Sequence, residues 1–182
     1  RNKIALDVPE LAEELVDLLL QRAPAVERAI SWRDELSGLE HGLLGSQLGR
    51  ALREGTDVER RVALRILSDS YVQGAESDVT ALLADRTASP AIRERSARIL
   101  MRQRLSEQIL TTGVLEPDYF AEDGTAELRG LVLRALWPEA LSPELLIQLL
   151  VPQPEHYVGS YSMFLRHLTE SLTVEHATHI LL

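Results

Sequence analysis

Apolar residues along this chain recur at intervals of three and four rather than alternately, the period of a helix face and not of a strand. Leucine, a good helix former, occurs 34 times against 20 for valine and isoleucine together. The pattern predicts helices almost throughout. The first opens with Asp7 as N-cap, Pro9 in the first turn and Glu10 three residues after the cap, and places Leu11, Leu15, Leu18 and Leu19 on one stripe. Pro24 starts a second, through Val26 and Ile30 toward Leu36, which Gly38 stops. A third is expected over about 40–54 (Leu43, Leu44, Leu48, Leu52), with Gly55 after it. Thr56 or Asp57 caps a fourth carrying Val58, Val62, Ile66 and Leu67 until Gly74, and a short fifth covers 78–85 with Val79, Leu82 and Leu83 facing in. Ser89 and Pro90 make an N-cap and first helical position for a sixth that runs through Ile92, Ile99 and Leu100 toward Leu110. From 111 to 125 the periodicity fails, and Gly113, Pro117 and Gly124 predict a long loop. Helices resume at about 126–137, 143–150, 158–168 and 173–182. Short connections between so many helices favour antiparallel neighbours.

The helices contain an internal repeat. Arg60, Arg65, Ile66 and Leu67 align with Arg93, Arg98, Ile99 and Leu100, and again with Arg129, Arg134, Ala135 and Leu136, at spacings of 33 and 36 residues. Small or aliphatic residues lie between the arginines in each unit: Ala63 and Leu64, Ser96 and Ala97, Val132 and Leu133. A two-helix unit of this length cannot bury its own apolar face, so neighbouring units must stack. The arginines are expected to flank the stripe, their stems covering the seam and their heads meeting nearby carboxylates such as Asp57.

The segment from Asp57 to Leu67, an acidic cap, an arginine and then small and leucine positions, resembles the second helix of a HEAT-like repeat. That resemblance implies an all-α fold, a HEAT-like α-solenoid of antiparallel helix pairs with about nine or ten helices, forming one domain over 1–182. First repeats would occupy 1–110, a loop 111–125 and C-terminal helices 126–182. A second resemblance rests on Leu128 to Leu146, anchored by Ala135-Leu136-Trp137-Pro138 and Leu141-Ser142-Pro143-Glu144, followed by Pro152, Gly159, Tyr161, Phe164, Leu165 and Leu172. This run is similar to a segment of large bacterial NACHT-type NTPases of the STAND group of signalling ATPases. The similarity implies a helical-repeat arm beyond the ATPase, with a sensing or autoinhibitory role in defence against phage. Read from its residues alone, the run is a corner. Trp137 closes a helix, Pro138 cannot continue it, and Ser142-Pro143-Glu144 starts the next, with the indole packed inside.

Composition sharpens this. The 182 residues carry a net charge of −9, split as −1 over residues 1–105 and −8 over 106–182, so the second half repels nucleic acid and anionic membrane. Lys3 is the one lysine among 19 basic residues. The absence of cysteine excludes disulfides, thiol catalysis and cysteine-ligated metals. The start at Arg1 and the end inside a helical pattern suggest a fragment of a longer chain. No stretch is flanked like a signal peptide or long enough to span a bilayer, and a cytoplasmic location is expected.

Catalytic signatures are wanting. Gly42, Gly45 and Gly49 with Arg50 lack the lysine and hydroxyl residue of a phosphate loop and are expected to permit close helix packing. Gly45-Ser46-Gln47-Leu48-Gly49 has its serine one place early for a nucleophile elbow. His176 and His179 lie three apart, but Ala177 stands where a metalloprotease needs glutamate, and Glu175 is the one carboxylate nearby. Glu170 and Glu175 are expected to be solvated rather than a general acid/base pair. The sixth helix is the one cationic candidate. Arg93, Arg95, Arg98, Arg102 and Arg104 crowd it, with Arg95, Arg98 and Arg102 on one face, as a DNA-binding HEAT-like glycosylase would use them. Stacking aromatics near that face reduce to Tyr71. The expectation is therefore a non-enzymatic interaction module without cofactor or metal, binding a protein partner or other domains of its own chain. A HEAT-like DNA-processing protein and a free-standing adaptor are the alternatives.

Overall fold

The structure, a computed structural model, describes residues 9–29, 44–70, 72–116, 118–153 and 158–171. These form ten helices and, among the described residues, no strand: α1 (Pro9–Gln21), α2 (Ala23–Ala29), α3 (Leu44–Glu54), α4 (Asp57–Ser70), α5 (Glu76–Ala84), α6 (Pro90–Arg102), α7 (Ser106–Leu110), α8 (Glu127–Leu136), α9 (Pro143–Leu149) and α10 (Ser160–Ser171). The all-α expectation holds. The Asp7 cap, the course of the second helix beyond Ala29 and the helix expected at 173–182 lie outside the described residues. The chain divides into two compact units, Arg1–Leu82 and Leu83–Leu182.

In the first unit α1 packs on α3 and α4, and α4 also receives α2 and α3. Two glycines set how close α3 comes. A Cβ on Gly45 would lie 2.0 Å from the Gln73 carbonyl oxygen, so that position admits no side chain, whereas one on Gly49 would lie 2.3 Å from the Asp78 carboxylate and would have to displace it. The leucine stripe expected on α1 is displaced: Ala12 and Val16 face the core, whereas Leu11 and Leu18 are 50% and 46% exposed. Thr56 settles the cap of α4. Its hydroxyl and N–H both donate to Glu59, whose own N–H donates weakly back to the hydroxyl, a reciprocal capping box. Those two bonds hold the Glu59 carboxyl below its ordinary range.

In the second unit α8 is the hub, packed against α6, α7 and α10. Gly130 makes the approach of α10 possible, since a Cβ there would lie 2.0 Å from the backbone nitrogen of Tyr161. The sixth helix does not run to Leu110. It ends at Arg102, and Arg104 takes a left-handed conformation at φ 59°. The Arg104 N–H then bonds the Met101 carbonyl (3.1 Å) and the Leu105 N–H the Leu100 carbonyl (3.0 Å), the paired bonds that close a helix when its following residue is left-handed. Glycine is the usual signal for this turn, and arginine stands here instead. Segment 111–125 holds no helix, as expected, yet it is core: Val114, Tyr119 and Phe120 are buried, the two rings edge to face at 5.0 Å.

The three repeat helices are α4, α6 and α8. Each buries the same offsets from its first arginine: Ala63, Leu64 and Leu67; Ser96, Ala97 and Leu100; Val132, Leu133 and Leu136. Each buried leucine contributes roughly 2 kcal/mol of transfer free energy.

Candidate functional site

The first arginine of each repeat fastens a backbone carbonyl. Arg60 donates to the Arg53 carbonyl at 3.2 Å, Arg93 to that of Tyr119 at 3.0 Å and Arg129 to that of Leu149 at 2.6 Å. In the second unit the same arginines cover aromatic faces. The Arg93 guanidinium carbon lies 4.6 Å from the Tyr119 ring centroid and that of Arg129 4.5 Å from Phe120, with Arg86 over Tyr119 at 5.6 Å. Arg60 flanks the stripe and meets Asp57 at 3.8 Å as expected, but it is half-buried rather than solvated, its Nε without a partner among the described residues. The expectation of a solvated flank fails for Arg93, which is 5% exposed. The reason is the aromatic pair of the segment that follows α6: Tyr119 offers both a ring face and a backbone acceptor to the Arg93 guanidinium.

The second arginine of each repeat meets a carboxylate in two cases of three. Arg65 pairs with Asp69 one turn on at 2.5 Å, and Arg98 of α6 with Glu127 in the first turn of α8 at 2.8 Å. Glu127 is buried and does a second job, accepting the N–H and hydroxyl of Ser160 at 2.6 and 2.7 Å, and so caps α10. Asp123 accepts the Arg129 N–H at 2.8 Å at the start of α8. Glu94 lies near both acids. Burial, then the Glu127 and Asp123 charges, push its carboxyl above the ordinary value, with Arg98 opposing.

At the end of α8 the chain turns as its residues dictate. Trp137 leaves the helix in an extended conformation and is 6% exposed, Pro138 follows, and the Ser142 hydroxyl caps α9 by accepting the Leu145 N–H at 3.3 Å. Ser89 occupies the equivalent place before Pro90 but makes no such bond. Beside the corner, α8 and α10 leave a groove of about 180 Å³ lined by Arg134, Trp137, Pro138, Phe164, His167 and Leu168. The His167 Nδ1 lies 3.0 Å from the Glu170 carboxylate. Arg134, the third second-position arginine, has no hydrogen bond or ion pair among the described residues.

No family model, curated protein or solved structure matches the chain. The arrangement fastens segments of the fold to one another. Gly45 seats α3 against the backbone of Gln73 and Gly74, in the connection between α4 and α5 rather than in a helix, Gly49 faces the Asp78 side chain of α5, and Gly42, His176 and His179 lie outside the described residues. Among the described residues no three of histidine, aspartate and glutamate stand where they could share a metal ion, and no helix is long and apolar enough to cross a membrane. Sequence patterning identified Arg134, Trp137 and Pro138 but not His167, nor Tyr119 and Phe120, whose adjacency in a chain with 4% aromatic residues was the available signal.

Proposed function

We propose that the chain is a non-catalytic helical-repeat interaction module, the sensor, scaffold or autoinhibitory arm of a bacterial STAND-type signalling ATPase that acts in the cytoplasm against phage. Its partner is a protein or another domain of the same chain. The supporting observation is the threefold plan of α4, α6 and α8, in which equivalent apolar positions are buried and the first arginine of each holds a carbonyl of another segment. A plan repeated in this way builds scaffold by nearest-neighbour stacking and leaves its outer surfaces for partners. The ATPase assignment rests on the Trp137-Pro138 corner and the run around it. Reading the open reading frame upstream of Arg1 tests that assignment: a phosphate loop and an aspartate-rich magnesium motif are expected, and a start codon immediately before this segment overturns it in favour of a free-standing adaptor.

A further inference from the structure

The repeat plan marks one position as incomplete. Arg65 holds Asp69 four residues on, and Arg98 holds Glu127 of the next repeat helix. At Arg134 the residue four on is Pro138, and the helix packed alongside, α10, has no acidic residue in its first turn. What α10 brings to Arg134 instead is Phe164, His167 and Leu168, which with Trp137 and Pro138 enclose the groove. The cation therefore opens onto an apolar floor where its counterparts meet a carboxylate. This occurs in the half of the chain that carries net −8, where an arginine without a carboxylate is least expected.

We infer that the groove between α8 and α10 is a docking site for an acidic side chain of a protein partner, presented beside an apolar side chain. The carboxylate supplies Arg134 with the ion pair that Arg65 and Arg98 have within the fold, by a charge-assisted bond of the same kind. The neighbouring apolar side chain packs on the exposed Pro138 and half-exposed Leu168, over the buried Trp137 and Phe164. The volume suits one or two side chains and not a cofactor. His167 stands at the rim, and the Glu170 carboxylate beside it does not replace the missing acid, because it lies against the His167 Nδ1 and makes no ion pair with Arg134.

The inference rests on the chain being an interaction module, but not on its belonging to an ATPase. The test uses the whole chain carrying Trp32→Phe, so that Trp137 is the one tryptophan, and follows its fluorescence on titration with acetyl-Leu-Glu-amide and with acetyl-Leu-Gln-amide. These probes have the same shape and differ in charge. Saturable low-millimolar binding of the glutamate peptide, about five-fold or more tighter than the glutamine peptide, is expected. Arg134→Gln should abolish that preference and Arg134→Lys should keep part of it, with circular dichroism confirming that each variant is folded. Equal affinity for the two peptides, no saturable change with either, or a preference that survives in folded Arg134→Gln overturns the inference. None of these outcomes touches the upstream reading frame, so the two accounts fail separately.

Discussion

At the scale of single residues, this protein uses arginine where many helical proteins use leucine. Arg93 is buried against Tyr119, bonds its carbonyl and leaves its own Nε without a partner among the described residues. Truncating it strands the carbonyl and uncovers the ring. Arg93→Ala is expected to lose about 2–4 kcal/mol of unfolding free energy, more than Arg60→Ala, whose Asp57 partner is mostly exposed. Urea unfolding of both variants checks this, and equal losses would contradict it. Glu94 gives the opposite sign. Its folded carboxyl binds a proton more tightly than the unfolded one, because burial and the Glu127 and Asp123 charges outweigh Arg98. The group therefore favours folding at low pH and costs stability once the pH rises above its folded value. Glu94→Gln should stabilise the chain at neutral pH, with the gain disappearing below the ordinary glutamate range. Melting temperatures across that range measure it, and a gain independent of pH would contradict the assigned cause.

At the scale of elements, most of the helices were legible because their punctuation is chemical. Pro90, Ser142-Pro143 and Pro138 start or stop helices wherever they fall, and Thr56 with Glu59 writes a cap in the sequence itself. The misses have a local cause in one case and a tertiary one in the others. The break after Arg102 carries no glycine, so helical periodicity from Ile92 to Leu110 hid it. The Tyr119-Phe120 segment lacks periodicity because it is packed by arginines and not by an apolar stripe. On α1 the periodicity points the leucines inward, whereas close packing on α3 and α4 selects the small Ala12 with Val16. Arg104 offers a direct check. A non-glycine residue in the left-handed region costs about 1 kcal/mol, so Arg104→Gly should stabilise the chain by up to about that amount in urea unfolding. Destabilisation would mean that the arginine side chain holds the turn.

At the scale of the whole molecule, the candidate site was half legible. Arg134, Trp137 and Pro138 stand out in the sequence as a repeat arginine and a corner, while Phe164, His167 and Leu168 join them through the packing of α10 on α8 across Gly130. That packing depends on a glycine and cannot be read from a hydrophobic pattern. The larger point concerns the arginines together. As a sequence, Arg93, Arg95, Arg98 and Arg102 form a cationic helix suited to phosphates; in the fold, Arg93 is spent on Tyr119 and Arg98 on Glu127. Arginines already bound within the protein release no counterions on meeting DNA. Under the proposed function, Arg93 and Arg98 are internal fasteners of a protein-binding module. The most direct test of this assignment is fluorescence anisotropy of a labelled DNA duplex titrated with the chain between about 50 and 200 mM salt. Binding too weak to saturate, with only a shallow dependence on salt, is expected; tight binding that falls steeply as salt rises would overturn the assignment.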